Sequence, residues 1–578
     1  MNPIRVWAPM AKTVAARIGE RIIPLGEAPG GWWRLLKPLP PGTDYAFVID
    51  GQSPVPDPRS PQLPYGIHGP SRTVDHAAFA WQDAKWQAPP LSSGIVYELH
   101  TGTFSEKGTF DGVIEHLDDL CGLGITHIEL MPVNSFSGIR GWGYDGVGLY
   151  APQESYGGPD GLKRLVNACH GRGLGVILDV VYNHLGPEGN YLEHFGPYFA
   201  DHYTSPWGKA VNLDGPYSFE VRRFFIDNAL MWLRDYHIDG LRIDAVHAFV
   251  DLSAIHFMEE MACAVRRLEA ETGRHFVLIA ESDLNDPRIV KPVEAGGYGL
   301  DAQWSDDFHH ALHSVLTGEK DGYYSDFGTL GDLARALECG FAYDGRYSGF
   351  RKRIHGRPVC GLSGNRFLGY IQNHDQVGNR ALGERIGHLV GVERFKIGAV
   401  IVFFAPFVPM LFQGEEWGAS TPFMYFTDHQ DPDLAEAVRN GRCNEFESFG
   451  WRPEDVPDPQ AVETFEKSIL QWNETSQDPH RSILQWYRQL ITLRKQAPDL
   501  KDGRMDRVRT RWDASARWLV IERGRYLLVC NLGEARQLVP IANSKAGCFV
   551  LCSTNGIECR TDGLLLPPDS AAVMYFEC

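Results

Sequence analysis

The hydrophobic pattern changes character twice along the 578 residues. Up to about residue 90, short runs of β-forming residues are separated by turn signals. Ile4–Trp7, Trp32–Leu36 and Tyr45–Asp50 read as strands, with turns at Gly30-Gly31 and Pro41-Gly42. Ser53–Pro64 is rich in proline and reads as an extended connector. From about Gly94, apolar runs alternate with longer helical stretches. The runs are Ile95–Leu99, Ile125–Met131, Gly175–Tyr182, Gly240–Asp244, Phe276–Glu281, Leu300–Trp304, Phe367–Ile371 and Pro409–Gln413. Between them, Asp251–Thr272 places Leu252, Ile255, Met258, Ala262, Val265 and Leu268 on one helical face, and Phe219–Tyr236 carries a similar stripe. Near-continuous apolar strands alternating with helices predict a parallel sheet with helices outside it. Eight such units over ~400 residues predict a closed (β/α)8 barrel. From Lys501 the pattern is β-like again, with Trp518–Ile521, Tyr526–Asn531, Cys548–Leu551 and Ala571–Phe576 as strands. The predicted fold class is therefore α/β: a TIM barrel over residues 91–500, flanked by β-sandwich domains over 1–90 and 501–578.

Composition narrows the function. A hydrophobic fraction of 43% supports a large core and excludes disorder as the main state. A net charge of −18 argues against nucleic acid or an acidic membrane surface as a partner. No run is long and apolar enough to span a bilayer. Ile397–Phe412 comes nearest, but Pro406 and Pro409 break it into a predicted buried helix and strand. Residues 1–18 lack a secretory signal pattern, and the eleven cysteines are odd in number and mostly scattered. Both features predict a cytoplasmic enzyme with reduced, buried thiols. Cys548, Cys552 and Cys559 have no accompanying His pair or CxxC, so no zinc site is predicted. Aromatic residues are 12% of the chain; most are assigned to core.

In a barrel, chemistry sits at the C-terminal ends of the strands. The run Val176-Ile177-Leu178 ends in Asp179, with Tyr182-Asn183-His184 following. Gly240-Leu241-Arg242-Ile243 ends in Asp244, with His247 just beyond. Val277–Ala280 ends in Glu281, and Leu368–Ile371 leads to Gln372-Asn373-His374-Asp375. Any one of these acids could be a helix cap or a turn residue. Together on one rim they would repel one another unless cations or a raised carboxyl pKa relieved them. An acid kept protonated beside an ionised carboxylate is what glycoside hydrolysis needs. No Gly-rich phosphate loop, GxSxG or HExxH is present to suggest other chemistry.

These segments, Asp179–His184, Gly240–Asp244, Glu281 and Asn373–Asp375, resemble in order and spacing the four motifs of the α-amylase family of glycoside hydrolases. The resemblance runs through the whole chain; it makes the first β-domain similar to a carbohydrate-binding module. Gly141–Gly146 is similar to the same stretch of branching enzymes, whereas Trp304–His310, Leu316–Tyr324 and Phe412–Phe423 resemble more narrowly the members that cut the α-1,4 bond beside a terminal trehalose unit. One departure is the Ser282-Asp283 pair after Glu281.

The resemblance implies a retaining mechanism, with carboxyls about 5–5.5 Å apart. Asp244 would be the nucleophile, Glu281 the general acid and Asp375 the transition-state stabiliser. It further implies that Arg242 keeps Asp244 ionised, that His184 and His374 donate to sugar hydroxyls, and that Tyr144 stacks under the reacting ring. His247, Asp306, Asp307, Phe308, His309 and the 412–430 segment are the further substrate-binding candidates. Trp142 and Trp304 join Tyr144 and Phe308 as sugar-stacking candidates. Asp179 and Asn183 would brace the site. The implied partner is malto-oligosyltrehalose or a related α-1,4-glucan, with no cofactor and no metal. A glycogen branching enzyme and a non-catalytic glucan-binding protein on the same scaffold are the alternatives. The sequence leaves open whether the chain is a monomer or a homodimer.

Overall fold

The computed structural model describes residues 4–205, 207–447, 452–541 and 547–576. Its centre is a closed barrel of parallel strands. They are β1 (Val96–Leu99), β2 (His127–Leu130), β3 (Gly175–Val180), β4 (Gly240–Ile243), β5 (Val277–Ala280), β6 (Ala302–Trp304), β7 (Phe367–Gly369) and β8 (Val408–Phe412). All eight apolar runs picked out in the sequence are barrel strands. They are short and largely apolar because both faces are buried, one in the barrel and one under helices. Alternation survives in the register. Val96, Ile177, Val277, Ile279, Ala302, Trp304, Leu368, Tyr370, Val408 and Met410 form one core cluster inside the barrel. Glu98 of β1 and Glu129 of β2 are paired in register within it, both 1% exposed.

Of the outer helices, α1 (Ser218–Asp235) and α2 (Phe257–Thr272) pack side by side, and α3 (Asp306–Thr317) follows β6 directly. The α2 stripe is shorter than the sequence suggested. Leu252 and Ile255 lie before the helix and are 81% and 55% exposed. Asp251 accepts hydrogen bonds from the Ser253 and Phe257 amides and pairs with Arg222, which holds the preceding turn out of helical geometry. Helix α4 (Val392–Phe404) ends at Ala405-Pro406, since the residue before proline is pushed out of the α region. It passes close against the barrel at Gly398, where a Cβ would lie 2.3 Å from Ile371 Cδ1.

β-sheets flank the barrel. Before it, Arg5–Trp7, Trp32–Arg34 and Gly26–Ala28 form one sheet; Arg21–Pro24, Val14–Ile18, Asp44–Ile49 and Ser71–Arg72 form another. After it, Val508–Asp513, Trp518–Arg523, Tyr526–Asn531, Ser570–Tyr575 and Cys548–Cys552 make five strands, beside a three-stranded sheet. Both regions are tied to the barrel by arginines. Arg59 pairs with Asp227 of α1 at 2.9 Å, and Arg523 donates to the Phe404 carbonyl at 2.6 Å. The cysteine expectation needs correction: Cys169 and Cys530 are buried, but Cys360, Cys548, Cys552 and Cys559 are exposed. Cys548 and Cys552 lie on an edge strand with most of its side chains in solvent.

Candidate active site

The acids converge at the C-terminal rim, on a cleft of about 480 Å³ lined by Tyr144, His184, Asp244, His247, Glu281 and Asp375. Arg242 organises it. The guanidinium is fully buried, and its Cζ lies 4.2 Å from the centre of the Trp304 ring. Nη1 donates to Asp179 Oδ2 at 2.7 Å and to Asp244 Oδ1 at 2.8 Å, while Nη2 lies 3.0 Å from Glu281 Oε2. One cation therefore joins the ends of β3, β4 and β5. Burial favours the neutral form of Asp244, but Arg242, His184 and the Asn183 amide outweigh it and hold the carboxyl below its ordinary range. Asn183 Nδ2 donates to Asp244 Oδ2 at 2.7 Å and to the Asp244 carbonyl at 3.0 Å.

Glu281 goes the other way. Burial, and then the nearby Asp244, Asp375 and Asp306 carboxyls, push its pKa well up despite Arg242. Ala245 contributes to its placement. Its φ of 40° lies in the left-handed region, costly for a residue with a Cβ, and its N–H donates to Glu281 Oε2 at 2.7 Å. One carboxylate kept ionised and one acid kept protonated share a single guanidinium, which can supply both a nucleophile and a proton donor.

Asn373 explains its own motif. It caps the turn that follows, accepting from the Asp375 and Gln376 amides while Gln376 Oε1 accepts from the Asn373 N–H. This fixes His374 inward and leaves Asp375 on the cleft wall with 40% of its side chain exposed. Tyr144 stacks on His374 at 5.0 Å and donates to Asp179 Oδ2 at 2.6 Å. Burial raises Asp179 to about 6. His184 hydrogen-bonds Asn183 and stacks on Trp207, 5.1 Å away.

Several sequence candidates are not at the cleft. Phe308 is fully buried against Phe407, Asp307 accepts from the Tyr343 amide at 2.7 Å, and His309 is fully buried, 3.0 Å from the Tyr324 hydroxyl. The reason is phase. Helix α3 starts directly after β6, so only its first residue, Asp306, is at the rim; the next three turn into the barrel wall. Asp306 accepts from the Tyr370 hydroxyl at 2.5 Å, and burial raises it to about 7. Trp304 lies beneath Arg242, where no sugar could reach it. Trp142 lines the cleft, but its ring is stacked on Phe423 at 5.2 Å and its N–H is bonded to the Met424 carbonyl. In the 412–430 segment, Phe412, Phe423 and Phe426 are core, whereas Tyr425, Thr427 and His429 line the cleft.

Trp207 and Asn379, which also line the cleft, were not singled out in the sequence. Trp207 had the clearest available signal, an aromatic residue in the short polar insertion after β3. Among the described residues no group of three His, Cys, Asp or Glu is arranged to hold a metal ion.

The barrel and its paired rim acids define a glycosidase of the α-amylase class. The family model described as alpha amylase, catalytic domain, matches residues 87–206, and one described as a domain of unknown function (DUF3459) matches 503–573. Over 98% of its length the chain is 48% identical to a malto-oligosyltrehalose trehalohydrolase of Rhizobium sp. (strain M-11), covering 97% of that protein. It is 46% identical to another from Arthrobacter ramosus, over 99% of both. A crystal structure described as an α-amylase from Salmonella typhimurium superposes with a TM-score of 0.92 at 38% identity, over 100% of this chain and 97% of that one. The chain belongs to the malto-oligosyltrehalose trehalohydrolases of the α-amylase family.

Proposed function

We propose that the protein hydrolyses the α-1,4-glucosidic bond next to the terminal trehalose unit of malto-oligosyltrehalose and releases trehalose. The observation that carries the reading is Arg242 bridging Asp244 and Glu281, in a chain similar to named trehalohydrolases over nearly its whole length. Asp244 attacks the anomeric carbon and forms a covalent glycosyl intermediate. Glu281 protonates the glycosidic oxygen as trehalose leaves, then takes a proton from the water that releases the glucan. Two displacements retain the anomeric configuration. Asp375 accepts from sugar hydroxyls more strongly as the ring flattens, so it acts on the transition state more than on the ground state. Tyr144 carries the reacting ring, and His184, His247 and His374 hold its hydroxyls. The chain divides into working parts near residues 90 and 500, and the enzyme acts in the cytoplasm without a cofactor.

Incubation with trehalose-capped maltoheptaose tests this. Free trehalose and a new reducing end formed in the α configuration are expected. No trehalose, a β product, or new α-1,6 branches in amylose would overturn it.

A further inference from the structure

Glu98 stands inside the barrel on β1, one of the few charged residues in an otherwise apolar layer. Its carboxylate takes two bonds from one residue: Oε1 pairs with His374 Nδ1, and Oε2 accepts the His374 N–H at 3.1 Å. Both side chains are 1% exposed. Tyr144 covers one face of the imidazole, and Trp142 and Trp304 meet it edge-on. Only Nε2 is left for other partners, and it lies 3.5 Å from Asp375 Oδ1 on the cleft wall.

We propose that Glu98 is a positioning residue of the reaction, fixing His374 as a doubly protonated imidazolium whose Nε2–H is aimed at a hydroxyl of the reacting sugar. This rests on the assignment of the Asp375 side of the cleft to that sugar. The tautomer gives the reason. With Nδ1–H donated to Glu98, a neutral ring has a bare Nε2, which can accept but not donate. Only the charged ring donates at both nitrogens. His374 beside Asp375 then offers a donor next to an acceptor, a matched pair for adjacent hydroxyls.

The charges around the ring agree. Burial opposes the imidazolium, but Glu98 from β1 and Asp375 from its own turn outweigh it and raise the pKa of His374, with Arg242 of β4 opposing. His100 after β1 is driven well down, to about 4, so it adds no competing cation near neutral pH. The Tyr144 phenol is held protonated. Glu129, beside Glu98, has neither carboxyl oxygen bonded, and burial with the charge of Glu98 keeps it protonated. Of the two glutamates paired across β1 and β2, Glu98 is the one whose oxygens both meet His374.

Glu98→Gln keeps an acceptor for Nδ1–H but removes the charge and turns its NH2 toward the His374 N–H. With malto-oligosyltrehalose, kcat should fall about 10²-fold, the order seen when one preorganised donor is lost, with KM moving less. The alkaline limb of the kcat profile should move to lower pH, because His374 loses the anion that raises it. Glu98→Asp should recover part of the rate and the original limb. A folded Glu98→Gln enzyme with wild-type kcat and an unmoved limb would overturn the proposal. A second measurement does not need that variant to fold. Spectra of ¹⁵N-histidine-labelled wild type at about pH 7, with His374 assigned by its loss in His374→Gln, should show both ring nitrogens protonated. A bare Nε2 would overturn the proposal. If wild type releases no trehalose, the proposed activity fails, whereas the ring spectra judge Glu98 separately.

Discussion

Arg242 Nη2 lies 3.0 Å from Glu281 Oε2, yet Glu281 stays well above its ordinary pKa. The guanidinium is shared: its other nitrogen already serves Asp179 and Asp244. One buried cation among three carboxyls cannot ionise them all. Asp244 is held low and Glu281 high, and this separation provides both a nucleophile and an acid on one rim.

Arg242→Gln should therefore do more than weaken binding. Asp244 loses its counter-charge, so the acid limb of the kcat/KM profile should move to higher pH. The loss of rate should reach at least ~10³-fold. The folded pKa of Asp244 is depressed, so its pairing stabilises the protein above the ordinary aspartate value and is lost as pH falls through the folded value. Leaving the carboxyls buried without their cation should cost about 3–5 kcal/mol at neutral pH, measurable by urea unfolding.

The two proposed catalytic acids should separate by leaving group. Glu281→Gln removes the proton donor, and hydrolysis of the natural substrate should fall about 10²–10⁴-fold. A maltosyl fluoride needs no protonation to depart, so this variant should form the glycosyl-enzyme from it at a rate much nearer wild type. Asp244→Asn should be inactive toward both, because no nucleophile remains. Equal rescue of the two variants by fluoride would reverse or void the assignment.

Away from the cleft, Glu415 and Glu416 are buried after β8, and burial raises both to about 8. Tyr487 donates to Glu415 at 2.9 Å, and Tyr97 to Glu416 at 3.0 Å. A raised carboxyl pKa stabilises the fold fully below the unfolded value of ~4.3 and loses that contribution as pH rises toward the folded value. Alkaline stability should therefore be poor. Glu416→Gln keeps an acceptor for Tyr97 and removes the ionisation. Its melting temperature should exceed wild type above about pH 8 and gain little near pH 5. Calorimetry at the two pH values checks the sign; a larger gain at the acid end would contradict it.

The barrel was legible because a strand buried on both faces is an apolar run, and the acids were legible because each ended such a run. Side-chain direction was not. Four consecutive residues, Asp306 to His309, looked equally able to reach the sugar, and only the helical phase after β6 singles out Asp306. Glu98 was hidden for the opposite reason, as one polar letter within Val96–Leu99, where only the register across the barrel brings it beneath His374. Leu252 and Ile255 matched a helical period, but the bonds of Asp251 hold them outside the helix.

Trp207 tests whether the inserted hairpin contributes to the substrate site. It lies between the strands Phe199–Ser205 and Gly208–Val211, is 48% exposed, and stacks on His184 at the cleft. An exposed indole over a cleft that takes sugars presents an apolar face of the right shape for a pyranose ring. His184 in turn is bonded to Asn183, which holds Asp244, so two residues stand between the indole and the proposed nucleophile. If Trp207 serves as a sugar platform, Trp207→Ala loses an aromatic contact of about 0.5–1.5 kcal/mol, raising KM roughly 2–12-fold with kcat little changed. Trp207→Phe should keep most of the affinity. If it serves instead to brace His184, kcat should fall with KM, and phenylalanine should not restore it. Steady-state kinetics on the two variants separates these outcomes, and a kcat loss larger than the KM change would assign the hairpin to positioning instead of binding.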